Sequence, residues 1–128
     1  MKRDDALVLS YAGCDTCKKA LAWLAANGVP HRIRPIVDQP PTVTELKTWI
    51  PASGLPVRKW LNTSGQSFRA LGKAKIDAAS DEELVKWLAA DGKLVKRPVV
   101  VASEGAGGGA IRVLVGFKPE AWKEAIVE

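Results

Sequence analysis

Short apolar runs alternate along the chain with stripes of apolar residues at helical spacing, and glycine or proline punctuates nearly every change. Ala6, Leu7, Val8 and Leu9 run through Ser10 and Tyr11 to Gly13, which predicts a buried strand entering a tight turn. Over 15–27, Ala20, Leu21, Trp23, Leu24 and Ala25 recur at helical spacing, Lys18 and Lys19 fall on the outward side, and Asn27-Gly28 supplies a stop. A helix is expected there. Val29, Ile33 and Ile36 are then interspersed with His31, Arg32 and Arg34, the pattern of a second strand, parallel to the first. The opening therefore reads as a βαβ unit.

Asp38-Gln39-Pro40-Pro41 breaks the chain, and Thr42 with Glu45 three residues later is a capping-box signature for a helix carrying Leu46, Trp49 and Ile50 and stopping over 51–54. Residues 55–79 hold short helical pieces with Trp60, Leu61, Phe68, Leu71 and Ile76, interrupted at Asn62-Thr63-Ser64-Gly65 and at Gly72. Ser80 and Glu83 repeat the capping box ahead of Leu84, Val85, Trp87 and Leu88, and Asp91-Gly92 ends that helix. Two strand patterns, 98–102 and 110–115, are joined through a glycine-rich run at 105–109 and predict an antiparallel hairpin, after which 119–127 closes the chain as a helix. The order βαβ, helices, ββα is an α/β architecture of thioredoxin-like type. It implies a mixed four-stranded sheet and an inserted helical subdomain at about 42–91, within a single domain over 1–128.

Composition narrows the classes. At 128 residues, 47% apolar and 26% charged, the chain has the makeup of one folded domain rather than of a disordered segment. The apolar run 6–9 is too short for a signal peptide and nothing approaches a membrane span, so a soluble cytoplasmic protein is expected; separately, a monomer is expected. The net charge of +5 is scattered among 14 acidic residues, which argues against direct nucleic-acid binding. The tryptophans at 23, 49, 60, 87 and 122 fall mostly on apolar helix faces and read as core. The run 105–109 reads as a flexible hairpin tip, because no Lys-Ser/Thr pair follows it as a phosphate loop would require.

The candidate chemistry lies in Gly13-Cys14-Asp15-Thr16-Cys17-Lys18, a C-x-x-C where the first strand turns into its helix. At a helix N-terminus, unsatisfied backbone N–H groups and the dipole favour a thiolate at Cys14, and Cys17 sits one turn on, within reach for a disulfide. A thiol with the ordinary pKa of about 8.5 is only ~3% ionised at pH 7, and a helix terminus lowers it by roughly one unit or less. A cation is needed as well, from Lys18 or from elsewhere. Two buried structural cysteines are the alternative. A zinc site would need two further ligands, and the only histidine, His31, lies on a predicted strand where it reads as a surface residue.

The second candidate is Lys96-Arg97-Pro98, where a proline opens a strand that otherwise looks central. In a thioredoxin-like fold this spot faces the cysteine pair. A cis Arg97–Pro98 bond would present backbone to a bound disulfide while Arg97 offers a guanidinium to a thiolate or oxyanion. A trans proline beside a solvated arginine is the other reading.

Taken together, Tyr11-x-x-Cys14-Asp15-Thr16-x-Lys18-Lys19-Ala20, Trp23-Leu24, Lys96-Arg97-Pro98 and Gly116-Phe117 resemble the arsenate reductase/Spx family. The resemblance implies a thioredoxin-like domain with a helical insertion and offers three branches of function. Plasmid-type arsenate reductases use the first cysteine, three arginines that bind the oxyanion, and glutathione with glutaredoxin as electron source. Arg97 falls on one of those arginine positions, Asn62 and Gly116-Phe117 on the others, with Arg58 as a nearby substitute. The Spx branch consists of redox-sensing regulators that bind the C-terminal domain of the RNA polymerase α subunit. Gly54 stands where that contact uses a glycine, or serves as a helix cap. A third branch, of reductase-like proteins with the same Cys-Asp-Thr run, is associated with glutathione-dependent thiol reduction.

The resulting expectation is an arsenate reductase-like thiol–disulfide oxidoreductase in which Cys14 attacks, Cys17 resolves, and Arg97 and Pro98 bind a small thiol or oxyanion substrate. No bound cofactor or metal is expected, and the implied electron donor is glutathione or a glutaredoxin/thioredoxin partner protein. The alternative is an Spx-type regulator whose partner is the RNA polymerase α subunit.

Overall fold

The computed structural model describes residues 6–103 and 111–127. The glycine-rich run 105–109, expected as a hairpin tip, lies outside the described residues. In chain order the elements are β1 (Ala6–Ser10), α1 (Asp15–Ala26), β2 (His31–Pro35), α2 (Val43–Ser53), α3 (Gln66–Leu71), α4 (Lys73–Ala78), α5 (Asp81–Ala90), β3 (Val99–Ser103), β4 (Ile111–Val115) and α6 (Pro119–Trp122). Short 3₁₀ turns occupy Val57–Trp60 and Gly92–Leu94, and α6 runs on into a π-helical segment, Lys123–Val127. They group into two compact units, one of Met1–Pro35 with Arg97–Glu128 and one of Ile36–Lys96.

The first unit is the sheet with its helices. The strand order is β2-β1-β3-β4, with β1 parallel to β2 and antiparallel to β3, and β3 antiparallel to β4. The mixed four-stranded sheet read from the sequence is thus present. On one face, Ala6 and Val8 of β1 and Val100 and Ala102 of β3 pack with Ala20 and Leu24 of α1 and with Trp122 and Ile126. Spacings of two along the strands and four along α1 bring these side chains to one surface. Leu9, Val99, Val113 and Val115, on the opposite face, are buried too. Ile33 departs from the expected pattern: β2 is the edge strand, and Ile33 there is 57% exposed. Half a strand's neighbours are missing at an edge, so correct spacing does not ensure burial.

The second unit is helical. Both predicted capping boxes form: Thr42 and Glu45 bond each other's backbone N–H at 3.0 and 2.9 Å at the head of α2, and Ser80 and Glu83 do so at 3.2 and 3.1 Å at the head of α5. Gly54 caps α2 in the left-handed conformation, φ 72°, the cap reading of that glycine. α2 packs against α5, with Leu46, Trp49, Leu84 and Leu88 buried. Trp60 is fully buried, and its indole N–H donates to Ser53 Oγ at 3.2 Å. Trp87 is only half-buried, with the Lys75 ammonium 5.4 Å from its ring centroid, and Trp23 in the first unit is half-buried as well.

Gly92 is the most tightly enclosed of this unit's glycines, since a Cβ there would overlap the Ile36 carbonyl oxygen and crowd the Val37 backbone. Backbone cannot rotate away as a side chain can. Gly92→Ala is expected to destabilise the protein by about 1–3 kcal/mol or more, read as a lower urea midpoint at unchanged slope.

Candidate functional site

The site grows from the end of β1. After Ser10 the chain turns through Tyr11, Ala12 and Gly13, closed by the Cys14 N–H donating to the Tyr11 carbonyl at 3.0 Å. Cys14 is the N-cap of α1, with φ −101° and ψ 114°. Its sulfur accepts the Cys17 backbone N–H at 3.3 Å, the position a Ser or Asp oxygen takes at an ordinary cap. A thiolate gains most from such a place, because the donated N–H and the helix dipole both favour negative charge. Both cysteines are free thiols; Cys14 is half-buried and Cys17 is 1% exposed, facing inward with Ala20 and Leu24.

Their electrostatics differ in sign. Burial pushes the Cys14 thiol up, but the hydrogen bonds it receives from the Cys17 side chain and backbone, together with the charge and hydrogen bond of Arg97, bring it below its ordinary value. Burial pushes the Cys17 thiol up to about 11, and the hydrogen bond it shares with Cys14 pushes the same way. Hydrogen bonds from the Tyr11 backbone and the Ser10 side chain pull Cys17 down without reversing this. The environment thus favours one anion and one neutral donor.

Arg97 and Pro98 lead into β3, beside β1 in the sheet. The Arg97–Pro98 peptide is cis, as read from the sequence, and the Pro98 carbonyl accepts the Gly116 N–H at 2.9 Å. The cation that acts on Cys14 is Arg97, while Lys18 lies exposed on α1. The structure therefore brings Cys14, Cys17 and Arg97 together. It assigns Arg58 differently from the sequence reading. Its guanidinium donates to the carbonyls of Ile76 and Ala79, both at 2.9 Å, closing the C-terminal end of α4. His31 is half-buried, with Nδ1 2.8 Å from the Val29 carbonyl oxygen. Among the described residues no three His, Cys, Asp or Glu side chains gather as metal ligands, and no helix is long and apolar enough to cross a membrane.

Ser10 and Tyr11, which touch the pair, were not singled out for chemistry by the sequence reading. The available signal was a serine ending an apolar run just before a C-x-x-C, and Ser10 is a buried polar residue at 6% exposure.

Comparison with known proteins places this geometry in a lineage. The chain is 39% identical over 115 residues to the uncharacterised protein YusI of Bacillus subtilis, covering 89% of this chain and 92% of that one. It is 34% identical over 92 residues to an arsenate reductase of Rhizobium meliloti, covering 72% of this chain and 65% of that protein. With the global transcriptional regulator Spx 2 of Bacillus anthracis the identity is 27%, over 89% of this chain and 81% of the regulator. Among solved structures, an ArsC family related protein from Bacteroides fragilis superposes with a TM-score of 0.85 at 48% identity, covering 94% of this chain and 97% of that chain. The ArsC family model matches residues 9–125, a span that holds the cysteine turn, all of α1 and the Arg97-Pro98 step, and the chain accordingly belongs to the ArsC family.

Proposed function

We propose that the protein is a thiol–disulfide oxidoreductase in which Cys14 is the nucleophile and Cys17 the resolving thiol. The observation that carries this reading is the placement of two thiols one helical turn apart, Cys14 at the N-cap of α1 with its sulfur accepting the Cys17 N–H at 3.3 Å and Cys17 only 1% exposed, an arrangement that moves their pKa values in opposite directions. In the first step the Cys14 thiolate attacks one sulfur of a disulfide substrate, a mixed disulfide forms, and the other substrate sulfur leaves as a thiolate that takes up a proton. Cys17 then loses its proton and attacks Cys14 Sγ, forming the Cys14–Cys17 disulfide and releasing the second substrate thiol. Two electrons from glutathione, or from a dithiol partner such as a glutaredoxin or thioredoxin, return the pair to thiols. Arg97 receives negative charge on substrate or leaving group, and Pro98 lines the same approach.

An oxyanion is the second substrate class. Arsenate is the one to try first, because a relative is named an arsenate reductase. Asn62 and Gly116-Phe117 stand where the resemblance has arginines, and Arg58 is committed to α4, so binding would rest on Arg97. The relationship to Spx supports a regulatory reading, in which the same pair acts as a switch on binding to the RNA polymerase α subunit.

The test is the pH dependence of alkylation, with Cys14→Ser as the blank. The sign follows from the direction of each displacement: Cys14 reactivity persists below the ordinary thiol range and fades only as pH falls through its lowered pKa, while Cys17 gains reactivity only as pH rises toward 11. A Cys14 that titrates as an ordinary thiol would refute the oxidoreductase reading. Oxidation-dependent retention of the polymerase α C-terminal domain without turnover would favour the switch.

A further inference from the structure

The turn between β1 and α1 carries a contact that thiol exchange does not by itself require. The Arg97 guanidinium carbon stands 4.9 Å from the centroid of the Tyr11 ring, where the ring's negative face attracts the cation. Tyr11 is also tied to the cysteine loop through its carbonyl, which accepts the Cys14 N–H at 3.0 Å. Its ring roofs Gly13: a Cβ there would meet Tyr11 Cε2 at 3.0 Å and the phenol oxygen at 3.5 Å. One face of the site therefore runs from the cysteine loop through the Tyr11 ring to the guanidinium.

Arginine is long and rich in rotamers, so a half-buried arginine delivers its charge to one atom only if something restricts it. A guanidinium held over an aromatic ring is restricted without being neutralised, whereas a carboxylate partner would cancel the charge the sulfur needs. We propose that Tyr11 is the positioning residue of the site, its ring face holding the Arg97 guanidinium beside Cys14 while its carbonyl fixes the loop that carries the sulfur. This rests on Cys14 being the activated nucleophile, and it adds a role for the side chain of a residue whose backbone hydrogen-bonds the cysteine turn. Gly13 is part of the device, since the absence of a Cβ leaves the ring room to lie over the turn.

The experiment measures alkylation of Cys14 by neutral iodoacetamide and by anionic iodoacetate at pH 7, in wild type, Tyr11→Phe, Tyr11→Leu, Arg97→Lys, Arg97→Gln and the Tyr11→Leu/Arg97→Gln double variant. The ratio of the two rates reports positive charge held at the sulfur, which a merely structural role for Tyr11 would not move. Tyr11→Leu is expected to slow alkylation about two- to fivefold and to shift the ratio toward the neutral reagent. Tyr11→Phe, which keeps the ring, stays near wild type, and Tyr11→Leu has no further effect once Arg97 is Gln. Arg97→Lys keeps the charge without the stacking plane, so it should resemble Arg97→Gln more than wild type in that ratio; this arm decides if Tyr11→Leu does not fold. An equal loss from Tyr11→Leu with and without Arg97, or a wild-type ratio in Arg97→Lys, overturns the proposal. Failure of the underlying reading looks different: wild-type Cys14 would then react as an ordinary thiol and Arg97→Gln would leave it unchanged.

Discussion

Cys14→Ser is expected to abolish thiol–disulfide exchange, whereas Cys17→Ser leaves the first attack intact and stops the cycle at a mixed disulfide. The asymmetry follows from the two environments. At pH 7 a thiol with a pKa of about 11 is ionised in roughly one molecule in ten thousand, so Cys17 contributes almost nothing to the initial attack. Cys14 sits at the head of α1, accepts a backbone N–H, and has Arg97 acting on it, all of which favour its thiolate. Once Cys14 is joined to substrate its negative charge is gone, and with it one of the interactions that held the Cys17 proton in place. Mass spectrometry after incubation with a small disulfide reads both outcomes: no adduct on Cys14→Ser, and a stable one-to-one adduct on Cys17→Ser. A Cys17→Ser protein that forms no adduct, while Cys14→Ser does, would reverse the assignment.

The largest effect on stability is expected at Trp122. This side chain is 1% exposed, and its indole N–H donates to the Gly116 carbonyl at 3.1 Å. Its ring meets Phe117 edge-on at 4.9 Å and Trp23 at 5.8 Å, in the cluster where α1 and the C-terminal segment cover the sheet. Trp122→Ala removes the packing, the edge-to-face contacts and the partner of a buried carbonyl together, and should cost about 3–5 kcal/mol. That is a large share of the roughly 5–15 kcal/mol that holds a domain folded. Trp122→Phe keeps most of the volume and should cost clearly less, and Trp23→Ala less too, because Trp23 is half-buried. Urea unfolding followed by circular dichroism measures all three; a cost below about 1 kcal/mol for Trp122→Ala would refute this account of the core.

What could be read from the chain alone was whatever neighbours in sequence decide. The capping boxes of Thr42 with Glu45 and Ser80 with Glu83, the Gly54 cap and the C-x-x-C at the head of α1 each depend on atoms within a few residues. The mixed four-stranded sheet could also be anticipated from a βαβ opening followed by a closing hairpin, whereas its order, β2-β1-β3-β4, comes from the structure. The approach of Arg97 to the cysteine pair was legible only by way of the thioredoxin-like topology, and most other contacts between distant parts of the chain left no trace in the sequence. Helical spacing could not show that Arg58 spans eighteen and twenty-one positions to the carbonyls of Ile76 and Ala79. Nor could alternation show that Ile33, on the edge strand, stays exposed. At the cysteines the division is sharpest. Sequence placed two thiols at a helix N-terminus, but an isolated helix end lowers a thiol pKa by only about a unit or less. The opposite displacement of Cys14 and Cys17 arises from tertiary structure, which leaves Cys17 1% exposed and brings Arg97, more than eighty residues along the chain, to Cys14 and to the ring of Tyr11. Burial and through-space charge depend on where the folded chain returns, and local sequence does not encode that.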